Sequence, residues 1–313
     1  MSIQLIITKL LVRLSGSKRI TGLPKDKMLK QIRRRNKLNR FFIPKGGRFV
    51  YRDMKVRVDN LDGVAEGDLS EEFHCLLICQ REKPKRAVLC LYGGGLLLSP
   101  PRMFVGFAEK MAANTGADVW FPYYPLCDEY TIRDSVRMLY EVYAAMCREY
   151  EDVRWYGYSS GGALLLLLGA YLNDNGKPLP MPEKLVLVSP GGIPSTEEEW
   201  EQMQHLNSKD VMLSAQYMKT IQPLLSHGNA TIPQWMQNCE GADFSGFPET
   251  WIYYGTSEVL SAKAAAYDEM LTKAGVRHHL KMAKDMPHCY CTTVFFPEAR
   301  EDYEETMRIL RED

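Results

Sequence analysis

The sequence has no net charge, although charged residues are common in it. Its 313 residues include 39 lysines and arginines and 39 aspartates and glutamates, so the formal net charge at pH 7 is zero. A protein that binds nucleic acid usually carries a basic excess. The overall charge therefore indicates no nucleic-acid partner and no strongly acidic one.

Paired cysteines are also missing, and no secretory signal is visible. The eight cysteines are scattered without a Cys-x-x-Cys pair, which favours a reducing compartment, so we expect a cytoplasmic protein. Cys289 and Cys291 lie beside His288, but a single turn does not supply four well-spaced zinc ligands. We expect no metal and no organic cofactor.

What the sequence does have is a regular alternation of strand-like and helix-like segments. Its composition is 45% hydrophobic, which is enough for one large core. Two opening antiparallel strands, around residues 56–58 and 74–79, are joined by a polar turn over residues 60–70. We then predict strands at residues 87–91, 118–123, 153–156, 185–188, 251–254 and 278–282, and helices at 103–115, 131–150, 163–172, 262–274 and 298–310. This alternation predicts an α/β protein with a mostly parallel, doubly wound sheet.

The most informative motif is Gly-Tyr-Ser-Ser-Gly at residues 157–161. It lies between the strand predicted at 153–156 and the helix predicted from residue 163. In that position Gly-x-Ser-x-Gly indicates a nucleophile elbow, a strained turn whose small neighbours keep the serine clear of other backbone. Ser159 is therefore the candidate nucleophile. The alternative interpretation is an unrelated glycine turn.

A second glycine-rich turn, Tyr-Gly-Gly-Gly, occupies residues 92–95 and follows the strand predicted at 87–91. Without side chains in the way, the backbone N–H groups of such a turn can face a developing oxyanion. The sequence thus combines a candidate nucleophile with a candidate oxyanion loop. As with the elbow, the alternative is an ordinary turn of an α/β protein.

The candidate base and acid lie nearer the C-terminus. Of six histidines, only His288 falls in a loop just after a terminal strand, behind Pro287. Glu258 ends a glycine turn that follows the strand at 251–254. We expect Glu258 to accept the imidazole N–H and His288 to take the proton of Ser159. The alternative for Glu258 is a solvated surface glutamate, with the true acid elsewhere.

On these motifs, the sequence from about residue 85 onward resembles the hormone-sensitive-lipase-like esterases, also called α/β-hydrolase fold-3 proteins. The matching stretches are residues 92–95 (the family's His-Gly-Gly-Gly loop), 157–162 (its Gly-Asp-Ser-Ala-Gly-Gly elbow), 243–248 with 255–260 (its acid loop) and 285–288 (its histidine turn). The resemblance implies an α/β-hydrolase fold with a helical cap. It also implies an oxyanion hole formed by the N–H groups of Gly94, Gly95 and Ser160, without use of the Ser160 hydroxyl.

The activity that the resemblance implies is serine carboxylic-ester hydrolysis through an acyl-enzyme. Because a cap limits the length of the pocket, we expect short-to-medium acyl esters of roughly C2 to C8. Tyr92, Tyr158 and Glu258 replace the family's commoner histidine, acidic residue and aspartate. The resemblance also extends to small-molecule receptors that bind ligands without hydrolysis, which is the alternative function. The presence of both Ser159 and His288 favours the enzyme.

The chain then divides into a basic, amphipathic cap segment (1–50), the first part of the hydrolase core (51–190), a helical cap insertion (191–245) and the second part of the core (246–313). The insertion supplies broad or flexible apolar side chains, namely Trp200, Met203, Met212 and Met218. A site beneath such a cap is expected to prefer neutral small-molecule esters over charged acids.

The N-terminal segment allows three interpretations. Residues 3–14 are mostly apolar but are interrupted by Lys9 and Arg13, and the run is too short to span a bilayer. Residues 1–40 contain twelve lysines and arginines and one acidic residue, a net charge of +11. The segment is a helix of the cap, an amphipathic helix peripheral to an anionic membrane, or a solvated basic arm.

Overall fold

The computed structural model describes residues 2–62, 69–176 and 179–312. Within them, eight strands form one sheet. In chain order they are β1 (Val50–Leu61), β2 (Leu69–Cys79), β3 (Arg86–Leu91), β4 (Asp118–Pro122), β5 (Asp152–Tyr158), β6 (Lys184–Val188), β7 (Glu249–Gly255) and β8 (His278–Ala283). The central strands are buried along nearly their whole length, which requires helices on both faces of the sheet.

The helices fall into those that alternate with strands and those that do not. They are α1 (Ile3–Leu14), α2 (Ser17–Thr21), α3 (Lys25–Asn36), α4 (Arg102–Thr115), α5 (Ile132–Glu149), α6 (Ser160–Asp174), α7 (Glu197–Leu206), α8 (Gln216–Ser226), α9 (Trp235–Asn238), α10 (Ala264–Lys273) and α11 (Pro297–Arg311). Helices α1–α3 precede the sheet, and α7–α9 lie between β6 and β7. The others follow the alternation that the sequence predicts.

The strand order is β1-β2-β4-β3-β5-β6-β7-β8. Strands β1 and β2 pair antiparallel, as do β2 and β4, whereas every pair from β4 to β8 is parallel. The chain therefore winds from β3 first to β4 on one side and then to β5 on the other. The loops that follow β3 and β5 meet at this reversal, which is where open α/β sheets bind ligands.

The opening strands are longer than the sequence predicts. We expected only residues 56–58 in the first strand, but β1 has 12 residues and pairs with β2 from Val50–Cys79 to Val58–Glu71. Most side chains of β1 are exposed or half-exposed, so it lacks the apolar signal of a buried strand. Residues 63–68 of the turn predicted over 60–70 lie outside the described residues.

Helix α6 is the buried helix behind the elbow that the leucine run at 164–168 indicates. All five leucines are buried, as expected for a helix that is apolar on every side. It begins at Ser160, three residues before the predicted start. The sequence-based boundary is late because Gly161 and Gly162 are poor helix formers, and here their lack of side chains lets the helix start pack against the sheet.

The two groups of extra helices contact each other. Lys18 of α2 donates to the backbone carbonyls of Asn207 and Asp210, and the Ser214 N–H donates to Thr21 Oγ1 at 3.0 Å. The N-terminal segment and the insertion after β6 are therefore adjacent in space although about 190 residues separate them in sequence. In the part of the chain that the structure describes, no helix has the length and apolarity to cross a membrane.

Candidate active site

Ser159 occupies a strained turn between β5 and α6. Its backbone has φ 54° and ψ −127°, a combination that is unfavourable for a residue with a side chain. The turn is held because the Ser159 N–H donates to the Val188 carbonyl at 2.8 Å and its carbonyl accepts from the Gly191 N–H at 3.1 Å. The neighbouring strand β6 thereby fixes the serine in the geometry of a nucleophile elbow.

The glycines of the elbow are required by close backbone approach. A Cβ on Gly161 would lie 2.3 Å from the carbonyl oxygen of Leu91, and one on Gly157 would lie 2.7 Å from that of Gly161. Any larger residue at either position would push α6 away from β3 and β5. The motif spacing therefore follows from packing at the start of α6.

His288 reaches the serine from the loop that follows β8. Its Nε2 lies 2.9 Å from Ser159 Oγ, and its Nδ1 is hydrogen-bonded to Oε2 of Glu258. This loop packs tightly against the turn after β7, where the Ser257 N–H donates to the Met286 carbonyl at 3.1 Å. The structure thus brings Ser159, His288 and Glu258 into one hydrogen-bonded chain.

The Glu258 carboxylate is fully buried and saturated with donors. Besides the imidazole, its Oε1 accepts from the Ser189 hydroxyl and the Gly255 N–H, each at 2.7 Å. A buried carboxylate is tolerated only when such partners replace its hydration. Glu258 is therefore no solvated surface glutamate, which was the alternative left open by the sequence.

Two opposing influences set the protonation of His288. Burial disfavours the imidazolium, but the adjacent Cys289 thiol and the Glu258 carboxylate stabilise it, and the pKa of His288 is raised well above 6.5. We attribute the rise mainly to the carboxylate, because it carries a full charge at neutral pH. The imidazole is thus a strong proton acceptor that Glu258 orients through Nδ1.

The glycine loop at 92–95 lies against the elbow. A Cβ on Gly93 would lie 2.7 Å from the Cβ of Ser159, so the backbone of this loop passes directly beside the candidate nucleophile. The Gly94 N–H donates to Ser160 Oγ at 3.0 Å. The Ser160 hydroxyl thus accepts a hydrogen bond from a predicted oxyanion donor, a contact that the sequence did not predict. That only the backbone N–H of Ser160 serves the reaction stays a prediction.

Two departures from the family pattern are explained by an aromatic cluster beneath this loop. Tyr92 is buried and stacks on Tyr124 with ring centroids 4.4 Å apart, while the Tyr124 hydroxyl donates to the Tyr92 carbonyl at 2.9 Å. Tyr158 is buried edge-on against Phe104 and Phe107. Both tyrosines support the loop and the elbow by packing, where the family commonly has polar side chains.

Sequence reasoning missed several residues that contact the site. Ser189 holds Glu258 and also accepts the Cys289 N–H at 3.0 Å. Asp210, between α7 and α8, accepts the Val259 N–H at 2.8 Å next to the candidate acid. Tyr217 of α8 donates to the Gly95 carbonyl at 2.5 Å. Only Ser189 had a usable signal, its position at the C-terminal end of a core strand.

Cys289 and Cys291 lie in different surroundings, one beside the imidazole of His288 and the other in the core. Cys289 Sγ lies 3.3 Å from Nε2 of His288, whereas Cys291 is buried in the core. Across residues 2–62, 69–176 and 179–312, no group of three or more histidine, cysteine, aspartate or glutamate side chains is arranged to hold a metal ion.

The same arrangement is found in a known protein family. A family model described as the alpha/beta hydrolase fold matches residues 88–292, which include all three side chains of the hydrogen-bonded chain. The chain belongs to this family. The fold class predicted from the sequence is thereby confirmed.

Two curated relatives of this α/β hydrolase are both named esterase. One, from Acinetobacter venetianus, is 24% identical over 225 residues, which is 67% of this chain and 70% of the relative. The other, from Gibberella moniliformis, is 23% identical over 220 residues, 67% of this chain and 68% of the relative.

Solved structures match this α/β hydrolase along almost its full length. An esterase/lipase from an uncultured bacterium has a TM-score of 0.77 at 19% identity and covers 99% of this chain and 98% of its own. An esterase of the bacterial hormone-sensitive lipase family has a TM-score of 0.76 at 20% identity with the same coverage. The resemblance to hormone-sensitive-lipase-like esterases inferred from the motifs is thus confirmed.

Proposed function

We propose that this α/β hydrolase is a serine carboxylic-ester hydrolase that acts on short-to-medium acyl esters through an acyl-enzyme. The observation that carries the proposal is the continuous hydrogen-bonded chain from Ser159 Oγ through His288 to Glu258, with the serine on a strained elbow. Ester hydrolysis is also the activity named for both curated relatives. No metal or organic cofactor enters the proposed reaction.

The proposed reaction has two halves. Ser159 Oγ attacks the acyl carbon while His288 Nε2 takes its proton, and Glu258 orients the imidazole and stabilises its charged form. The tetrahedral intermediate collapses when the imidazolium returns this proton to the leaving alcohol, which leaves Ser159 acylated. Water then attacks the acyl carbon as His288 takes one of its protons. The imidazolium returns this proton to Ser159 Oγ as the bond to the acyl carbon breaks, which releases the acid and regenerates the serine.

We assign oxyanion stabilisation to the N–H groups of Gly94, Gly95 and Ser160. The Gly94 N–H donates to Ser160 Oγ in the free protein, so it must exchange this acceptor for the oxyanion during the reaction. Charged acceptors form stronger hydrogen bonds than hydroxyls do, which favours that exchange. The donor is thus kept satisfied until negative charge develops.

The preference for acyl chains of roughly C2 to C8 is proposed from the helices over the site. Helix α8 bonds to the oxyanion loop through Tyr217 and Gly95, which supports the proposal that the insertion forms a cap next to the serine. The buried apolar side chains of the insertion include Met203 on α7 and Met218 on α8. A covered, apolar surface favours neutral esters of limited length.

We further propose that residues 1–50 and 191–245 act together as the cap. The Asn36 side chain at the end of α3 pairs with the backbone of Leu97 and Ser99, just after the oxyanion loop, at 2.8 and 2.9 Å. Helix α8 reaches the same loop from the insertion. These contacts support the proposal that the two segments couple the position of the cap to the oxyanion loop. The cytoplasm remains our proposed compartment, on the grounds of the unpaired cysteine pattern.

The proposal is tested by covalent labelling and ester turnover. We expect a fluorophosphonate to label Ser159, and p-nitrophenyl esters of increasing chain length to show falling turnover beyond about C8. Ser159→Ala is expected to abolish both labelling and turnover, while the control Ser226→Ala, at the end of α8, keeps both. Folded wild-type protein that is neither labelled nor active, yet binds a small apolar ligand reversibly, would establish the receptor function instead.

A further inference from the structure

Helix α1 presents an apolar face to solvent. Six large apolar side chains of this helix are 49% to 74% exposed: Ile3, Ile6, Ile7, Leu10, Leu11 and Leu14. Their spacing of three and four residues places them on one side of the helix, while Leu5 on another side is fully buried. Such a continuous exposed apolar face is costly in water and indicates a surface that something covers.

This helix is fixed to the body of the protein. At its start, the backbone and hydroxyl of Ser2 donate to the Glu298 carboxylate at 2.5 and 2.7 Å. In its middle, Lys9 Nζ donates to the Asp285 carbonyl at 2.7 Å. Together with buried Leu5, these contacts fix α1 on the protein surface beside the turn that carries His288.

Exposed apolar side chains continue beyond both ends of α1. Phe295 is 74% exposed and precedes the Glu298 anchor by three residues. At the other end, Arg35 donates to the Ser15 carbonyl, and Leu38, three residues further on, is 83% exposed. The segments that contact the two ends of α1 thus carry further exposed apolar side chains.

The N-terminal segment that contains this face is strongly basic. Residues 1–40 carry a net charge of +11 although the whole chain is neutral, so basic side chains are segregated here. Many of them are exposed, among them Arg13, Arg19, Lys25, Lys27, Lys30, Arg34 and Lys37. Apolar side chains flanked by lysine and arginine are the composition of helices that lie in the headgroup region of anionic bilayers.

We propose that α1 and the basic residues of α2 and α3 form a docking surface for an anionic phospholipid bilayer, with α1 lying in the plane of the interface. A second copy of the chain is the less suitable occupant, because two segments of charge +11 would repel each other. With 12 residues, α1 lies on the bilayer surface and does not span it. The side of α1 that faces the protein body borders the histidine turn through the contact between Lys9 and Asp285.

The test is cosedimentation of the full chain with vesicles, which is independent of ester hydrolysis. We expect the protein to pellet with mixed phosphatidylcholine and phosphatidylglycerol vesicles, to release as salt is raised, and to ignore pure phosphatidylcholine vesicles. Ile7→Glu combined with Leu10→Glu is expected to weaken binding by about 100-fold, since it places two charges in the apolar contact. Both side chains are exposed, so thermal stability should be unchanged. Val50→Glu, on the exposed edge strand β1, is the matched control.

Three results would overturn the proposal. The intact protein could fail to bind the anionic vesicles at low salt. It could bind the anionic vesicles with the same affinity after the double substitution, which would mean that electrostatic attraction alone accounts for binding. It could also form a dimer that the double substitution dissociates, without vesicle binding, which would make a second copy the occupant of this face.

Discussion

At the residue scale, the site is organised around a carboxylate that has no contact with water. Glu258 has one more methylene than the aspartate common at this position, and the Ser189 hydroxyl and Gly255 N–H fix the oxygen that does not face His288. The longer side chain is therefore fixed by hydrogen bonds at both carboxylate oxygens. Because the carboxylate raises the pKa of His288, it influences both the orientation and the basicity of the imidazole.

Replacing Glu258 by glutamine tests both the orientation and the basicity of the imidazole. We expect Glu258→Gln to lower kcat by roughly 10²- to 10⁴-fold, because the amide supports neither the correct tautomer nor the imidazolium. The imidazole must be neutral to act as the base, and its pKa lies above 6.5. We therefore expect wild-type kcat/KM to rise with pH, and this rising limb of the pH profile should lie above pH 6.5. Loss of the carboxylate removes a stabiliser of the imidazolium, so this limb should move to lower pH.

The control for this prediction is Asp268→Asn. Asp268 also contacts a histidine, His278, at 3.0 Å, but on the surface and away from the serine. We expect its pH profile and kcat to match those of the wild type. If the rising limb of the pH profile stays at the same pH in Glu258→Gln, a group other than the Glu258 carboxylate sets the pKa of the base.

The Ser160 hydroxyl allows a second prediction. Ser160→Ala removes the acceptor of the Gly94 N–H but leaves the backbone N–H of residue 160 in place. We expect a loss of about 1 kcal/mol in the free energy of unfolding and a change in kcat/KM of less than about tenfold. Ser135→Ala, which removes a buried hydroxyl bonded to the Pro125 carbonyl, should lose similar stability with no kinetic change. An inactive Ser160→Ala enzyme would show that the hydroxyl itself takes part in the reaction.

At the scale of elements, the sequence predicts the strands and helices whose positions depend on local residue patterns. Strands and helices of the core lie close to their predicted positions, because buried apolar runs and glycine turns mark them. The boundaries that differ most are those of β1 and of the start of β2, where most side chains are exposed or half-exposed, and that of α6, whose start depends on glycines packed against β3. The contacts of α8 with the oxyanion loop carry no local signal, since 122 residues separate Tyr217 from Gly95.

The contact between α8 and the loop gives an element-scale prediction. Tyr217→Phe keeps the buried ring but removes the hydrogen bond to the Gly95 carbonyl. We expect kcat/KM to fall about tenfold, because a loop that is less firmly held binds the oxyanion less well. Tyr303→Phe loses a comparable bond to Asn114, between α11 and α4, and should keep wild-type kinetics. Equal kinetics for the two variants would limit Tyr217 to a structural role.

At the scale of the whole molecule, the candidate triad depends on strands that are distant in sequence. Chain order and motif spacing suffice to predict Ser159, Glu258 and His288, because each follows a core strand and the carboxyl ends of parallel strands meet at one edge. Their catalytic roles remain predictions. The residues that hold the insertion against this edge are set by tertiary packing, so Asp210 and Glu199 have no counterpart in any motif of the sequence.

The ion pair that joins the insertion to the core provides the last prediction. Lys263, fully buried before α10, contacts both carboxylate oxygens of Glu199 on α7 at 2.8 and 2.9 Å. Glu199→Gln leaves that ammonium without a counter-charge, so we expect the free energy of unfolding in urea to fall by about 3–5 kcal/mol. Glu199→Gln combined with Lys263→Met removes the uncompensated charge and should recover most of this loss. If the double variant were as unstable as the single one, packing rather than charge would hold α7 on the core, and the insertion would not depend on this pair.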